Sequence, residues 1–270
     1  MPEIPTEEFN EPLYIADAPT GSRPHKPEQD APTWMEMNKD PRIYMRFEGE
    51  EPPPDTIENA VKSLNPKNDA KVLKKLLDPN IPYKNTEVLQ RAIEKNKDIL
   101  TGMEEEKKEM MGWVAFYRPK PRELRSHIRA SLIQPPDETD QTELPVLEVS
   151  YSRHKDMPAG IMEHGIRAEI YRLYRLTRVN EKEVFEDKTA GPLASIHEAY
   201  TYKDLCPLRL IAVIDTDNPS SKELAAKLGF VEKGNAKIKN NKVVYELDWD
   251  KFMEKMDEKV SSFWEDKLKS

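Results

Sequence analysis

From Leu208 to Ile214 the chain is apolar except for Arg209, and Asp215 closes the run. Such a segment predicts a short strand buried on both faces. A polar turn follows, Thr216 to Ser221, and then Lys222 to Leu228, where Leu224, Ala225 and Leu228 fall on one face of a short helix. Asp217 or Asn218 caps the first turn of this helix, and Pro219 suits its first position, where the missing N–H is not needed. Gly229 takes the left-handed stop, and Phe230 packs back over the last turn.

Before this unit lies a second strand and helix. In Pro145 to Ser152, Leu147, Val149 and Tyr151 alternate with Val146, Glu148, Ser150 and Ser152. The chain turns through Arg153 to Met157 into Pro158-Ala159-Gly160. A long helix then runs to about Arg178, with Met162, Ile166, Ile170, Leu173 and Leu176 as its buried stripe and Glu163 and Arg167 as an i, i+4 pair.

Earlier segments are shorter. Arg42 to Glu48 alternates as a strand. Helices are expected from Asp55, as cap, to Leu64, from Asn68 to Leu77, and from Thr86 onward with Val88, Leu89, Ala92, Ile93 and Ile99 inside. A strand is placed at Ile99 to Met103 and a stronger one at Met110 to Arg118. Pro119 to Glu143 is polar and broken by proline. Toward the end, strands are expected near Ala236 to Ile238 and from Val243 to Trp249. An amphipathic helix from Asp250 to Leu268 either docks on the domain or joins two copies as a homodimer. Residues 1 to 36 are rich in proline and acid without periodicity, so they predict an extended or disordered tail. The division is a tail over 1–36, a domain over 37–252 and a terminal helix over 253–270.

Composition narrows the function classes. A chain of 270 residues with net charge −8 disfavours nonspecific nucleic-acid binding. Cys206 is the single cysteine, so no internal disulfide forms and a reducing compartment is expected. No apolar run is long enough for a bilayer, and no secretory leader is visible, so the expected location is intracellular and cytoplasmic, with the nucleus left open. His25, His127, His154, His164 and His197 have no metal-ligand spacing. Dinucleotide, phosphate-loop and Ser-His-Asp signatures are missing from the sequence.

One resemblance is specific. Asn218-x-x-Ser221 followed by Leu224-x-x-Lys227-Leu228-Gly229-Phe230 resembles the second half of a GNAT-type N-acetyltransferase, closest to the ribosomal-protein N-terminal acetyltransferases. The strand, loop and helix over 145–178 resemble the coenzyme A half, with Lys155, Pro158 and Gly160 at the positions of its Gln/Arg-x-x-Gly-x-Gly/Ala motif. The resemblance implies a mixed α/β fold: a mostly antiparallel sheet flanked by helices, splayed in a V between its central strands. It implies acetyl-CoA as co-substrate, held by Val149, Tyr151, Lys155, Met157, Ala159, Gly160, Asn218 and Ser221. The physical need behind that loop is plain: a pyrophosphate is met by free N–H groups and the dipole at a helix N-terminus. Pro158 removes one such N–H.

The implied reaction is direct transfer of the acetyl group to an amine, which must first lose a proton. Glu148 is the expected base, and His154, read as an exposed loop residue, is the less favoured one. At the position of the family's helix tyrosine stands Ala225, so Ser221 is the expected donor to the leaving thiolate. Cys206 reads as structural. The acceptor is a protein N-terminus, a lysine or a small amine, and the segment over 179–207, longer than the family needs, would lie on its side. The competing reading is a GNAT-fold binding or regulatory module without catalysis, favoured by Pro158 and Ala225.

Overall fold

The computed structural model describes residues 12–15, 18–39, 56–64, 69–78, 88–95, 110–119, 146–157, 160–177, 208–233 and 242–256. These form strands β1 (Leu13–Tyr14), β2 (Thr20–Arg23), β3 (Leu89–Lys95), β4 (Met110–Tyr117), β5 (Val146–Arg153), β6 (Arg209–Asp215), β7 (Phe230–Glu232) and β8 (Lys242–Leu247). The helices are α1 (Pro27–Asn38), α2 (Ile57–Leu64), α3 (Asp69–Leu77), α4 (Ile161–Thr177) and α5 (Pro219–Lys227), with α6 over 249–256. One sheet holds all the strands, in the order β1-β2-β3-β4-β5-β6-β8-β7. Every pairing is antiparallel except that of β5 with β6. This is the mixed, mostly antiparallel sheet expected.

The register assigns the faces. Val114, Phe116, Leu147 and Val149 share one face with Leu89 and Ile93, and their cluster takes in the α4 stripe Met162, Ile166, Ile170, Leu173 and Leu176. The opposite face carries Ala92, Trp113 and Ala115, covered by Met37 and Trp34 of α1, with α2 packed behind through Ala60 and Leu64. The α3 residues Val72, Leu73, Leu76 and Leu77 are all buried, as their spacing requires. In α2 the cap is Thr56, whose Oγ1 accepts from Asn59 N at 3.2 Å, and Ile57 is exposed rather than inside.

Two expectations are corrected. Residues 13–15 and 18–38 are not a tail outside the domain: they supply two strands and a helix to it. Proline misleads here. Pro27 sits at the tolerated start of α1, and Pro32 stays inside the helix, where it normally costs about 3 kcal/mol. Buried Asp30, Ala31 and Met35 hold the helix in place. The helix expected from Thr86 is instead strand β3. Val88, Leu89, Ala92 and Ile93 fit a helical face, but the strand also buries Arg91 and Glu94. Its true period of two is hidden because charged residues occupy core positions.

Those charges form two networks, one on each face of β2 and β3. On the α1 face, Arg23 binds both carboxylate oxygens of Asp30 at 2.7 Å and Glu94 Oε2 at 2.6 Å, and Tyr14 also donates to Glu94. His25 Nδ1 lies 3.2 Å from Asp30. On the α4 face, Ser22 Oγ donates to Glu169 Oε2 at 2.5 Å, Arg172 Nε lies 3.2 Å from the same oxygen, and Arg91 Nε lies 3.6 Å from Oε1. Burial opposes ionisation of Asp30 and Glu169, but the guanidinium groups outweigh it and hold both carboxyls below the usual range. Burial pushes the His25 imidazole down despite Asp30 beside it.

The end of the chain fixes α5. Gly229 follows that helix with φ +92°, the left-handed stop expected, and Phe252 backbone crosses close to it. Lys255 Nζ (2.8 Å from Ala226 O) and Arg167 Nη2 (2.9 Å from Lys227 O) bind the last carbonyls of α5, where a cation is favoured. Phe252, Met253 and Met256 are buried and Trp249 Nε1 donates to Leu208 O at 2.9 Å, so the described part of the terminal helix docks on its own domain. Strands expected at Arg42–Glu48, Ile99–Met103 and Ala236–Ile238, and the segments 120–143 and 179–207, the second of which holds Cys206, lie outside the described residues.

Candidate active site

The site follows from how β5 and β6 pair. Val146 faces Arg209, Leu147 faces Leu210 and Glu148 faces Ile211, and there the ladder ends. Beyond it β5 remains bound to β4 as far as Arg153, and β6 to β8 as far as Asp215. The two antiparallel halves hold, and the parallel pairing, weaker per residue, opens between them. The result is the V-shaped splay expected, with its apex at Glu148 and Ile211. Alternate backbone groups of Val149–Arg153 and Ala212–Asp215 face this cleft rather than a neighbouring strand.

Both strands run toward the open end, and each leads into a helix. The first-turn N–H groups of α4 and α5 therefore sit at the mouth, at the carboxyl ends of parallel strands, where α/β sheets bind ligands. Gly160 opens α4 with φ +87°, and a side-chain carbon there would meet nothing within 4 Å. Backbone of this shape with free space in front of it suits an anion. On the other arm, Asn218 is the cap of α5: its Oδ1 accepts from Ser221 N at 3.1 Å and from Ser220 Oγ at 3.3 Å.

The remaining site residues are distributed along the fork. Glu148 stands at the apex, 7% exposed, on the α1 face, with Tyr117 of β4 opposite it. Val149 lies on the other face, in the core. Tyr151 follows on the same face as Val149, and its hydroxyl crosses the fork to donate to Ser221 O at 3.3 Å. Met157 is buried, and its N–H is already bonded to His154 O at 3.1 Å, so it serves the turn. Ala159, with Pro158, lies outside the described residues.

His154 is corrected: it is 1% exposed, not a solvent-facing loop residue. Its Nδ1 accepts from Asp156 N at 3.3 Å, and its Nε2 lies 3.4 Å from Glu36 of α1. Lys155, 66% exposed, places Nζ 3.3 Å from the same Glu36 oxygen. Glu36, His154 and Asp156 bring ligand atoms within 4.8 Å of one another, but the ammonium of Lys155 already stands at the shared carboxylate. The sequence carried no signal for Glu36, which reaches the loop from more than a hundred residues upstream. Nor could alternation alone reveal that Tyr151 spans the fork.

No family model matches the sequence, and no curated protein matches it. Among solved structures the chain is similar to RimL, a ribosomal L7/L12 alpha-N-protein acetyltransferase in complex with coenzyme A, at 11% identity and a TM-score of 0.48 over 89% of this chain and 99% of that one. It is similar to Mycobacterium smegmatis RimJ in complex with CoA-disulfide at 14% identity and a TM-score of 0.43, over 88% of this chain and 85% of that one. A third likeness is to an acetyltransferase (GNAT family) from Bacillus anthracis, at 12% identity and a TM-score of 0.44, over 87% of this chain and 98% of that one. No helix among the described residues is long and apolar enough to cross a membrane.

Proposed function

We propose that the chain is an acetyl-CoA-dependent N-acetyltransferase that passes the acetyl group to a primary amine by direct attack. The observation that carries this reading is the fork itself: one parallel ladder that stops after Glu148 and Ile211, with two helix N-termini at its mouth. An extended, amide-bearing thioester arm fits such a cleft, because its amides pair with the strand edge that β6 leaves. The pyrophosphate belongs at Gly160 and the first turn of α4, with Lys155 beside it. Asn218 and Ser221 hold the facing arm. Glu148, at the apex, takes the proton from the amine. The net charge of −8 favours a cationic acceptor, which an amine is before it loses that proton.

Lys155, half engaged by Glu36 at 3.3 Å, and Pro158, which lacks an N–H, favour a second reading: a fold of this type that binds a partner without catalysis. Thermal unfolding with and without acetyl-CoA separates the two. Coenzyme at one hundred times its dissociation constant is expected to add about 2.7 kcal/mol to native stability. Release of free thiol from acetyl-CoA with a panel of primary amines then tests transfer. An unmoved transition at millimolar coenzyme would transfer support to the non-catalytic reading.

A further inference from the structure

We propose that Tyr151 is the catalytic acid that protonates the departing thiolate, in place of Ser221. The inference rests on the acyl-transfer reading above. Tyr151 stands on β5 past the point where β5 and β6 part, and its ring packs against the cluster that contains Ala225. Its hydroxyl reaches Ser221 O, at 3.3 Å on the opposite arm. In a helix the carbonyl of residue 221 points toward residue 225. The phenol oxygen therefore lies against α5 at Ser221, and buried Ala225 stands one helical turn further on. The proton donor comes from the strand because the helix offers only a methyl group there.

Acidity decides between the two hydroxyls. A phenol ionises near 10 and a thiol near 8.5, so proton transfer between them is almost balanced, within about 1.5 units. An aliphatic alcohol is a far weaker acid than either, and donors serve best when their acidity lies near that of the group they protonate.

The step balances. The ammonium first gives one proton to Glu148, which passes it to water; the neutral amine nitrogen then forms the C–N bond to the thioester carbonyl carbon and gives its second proton to Glu148 as the adduct collapses. The C–S bond breaks, and sulfur keeps the electron pair. Sulfur takes the Tyr151 hydroxyl proton and leaves as the thiol. Tyr151 regains a proton from water, and Glu148, on the other face of the sheet, releases its own to water. The sum is amine plus thioester giving amide plus thiol.

Tyr151→Phe in the full chain tests this, with thiol release as the readout. The expected result is a fall in kcat of about 100-fold, with KM for acetyl-CoA kept within a few-fold and the alkaline limb of the kcat profile lost. An acetyl thioester of an aromatic thiol, whose thiolate leaves without a proton, is expected to react at similar rates in both proteins. Incorporation of 3-fluorotyrosine, a more acidic phenol of nearly the same shape, is expected to move the alkaline limb to lower pH, and this arm stands even where the phenylalanine variant folds poorly. The proposal is overturned, with the acyl-transfer reading intact, if Tyr151→Phe keeps both kcat and the alkaline limb, or if Ser221→Ala alone removes that limb. A wild-type protein that neither binds acetyl-CoA nor releases thiol overturns both.

Discussion

Glu169→Ala is expected to lower stability by about 3–5 kcal/mol, the range for removing one partner of a buried ion pair. Glu169 is wholly buried on α4, and its carboxylate serves Ser22, Arg91 and Arg172 together. Removing it leaves two guanidinium groups, Arg91 of β3 and Arg172 of α4, buried without the carboxylate they share. It also unpins α4 from β2 and β3 and so loosens the helix whose first turn forms one side of the fork. The loss is a large part of the 5–15 kcal/mol that a domain holds. Urea unfolding followed by circular dichroism measures it. Combining Glu169→Leu with Arg91→Met is expected to be less harmful than Glu169→Ala, because one of the two guanidinium groups goes with the carboxylate and only that of Arg172 stays behind without it. A double variant at least as unstable as the single one would show that the Arg91 pairing is not the main term.

Acid acts on the same residues. Asp30 and Glu169 ionise in the folded state at lower pH than in the unfolded chain, where carboxyls titrate near 4. Their contribution is complete above that value and is lost as pH falls toward the folded value. His25 adds an earlier phase. It is held neutral by burial, while the unfolded chain protonates below about 6.5, so acidification favours unfolding there too. The transition temperature is expected to fall from pH 6.5 downward, first gently and then steeply below pH 5. His25→Gln should flatten the first phase and leave the second.

These networks also explain what was legible in the sequence. The elements from Pro145 to Phe230 that the structure describes follow rules of pattern and punctuation. Alternation marks β5, a 3.6-residue stripe marks α4, an unbroken apolar run marks β6, and Asn218, Pro219 and Gly229 bracket α5. Each signal is local, and each is met by local geometry. The first part of the sheet obeys no such rule. Thr20, Ser22 and Arg23 make β2 a buried strand only because Ile161, Glu169, Asp30 and Glu94 meet their polar groups from elsewhere in the chain. The same partners let Arg91 and Glu94 sit inside β3. Polarity that is neutralised at long range looks like surface when read along the chain. The candidate site divides in the same way. Glu148 on β5, Gly160 before α4 and Asn218 at the cap of α5 stand on the elements that the local pattern predicts, whereas the Glu36–His154 contact and the reach of Tyr151 to Ser221 arise from strands and helices brought together by the fold.

Glu148→Gln is expected to reduce kcat by about 10² to 10⁴-fold, the range for loss of a positioned general base, while the thermal shift with acetyl-CoA persists. The acceptor amine is mostly an ammonium at neutral pH, since free amines ionise near 8 to 10. Some group at the reacting end of the cleft must take its proton. The apex is where a thioester carbonyl would lie if the phosphate end sits at the mouth, and Glu148 is the carboxylate that β5 places there. His154 is the alternative on the same segment, but its ring lies beyond the end of β5, with Nδ1 accepting from Asp156 N and Nε2 against Glu36. It stands at the mouth of the fork and faces α1. His154→Gln should therefore weaken coenzyme binding through the loop it organises, with a smaller effect on kcat than Glu148→Gln. Glu148→Asp discriminates further: it keeps the carboxylate but draws it back by one methylene, so kcat should fall to an intermediate value with the acid limb of the pH profile retained. Full activity in Glu148→Gln would move the base to another residue. Loss of the coenzyme-induced shift in that variant would instead make Glu148 part of the binding surface at the apex, with the proton removed elsewhere.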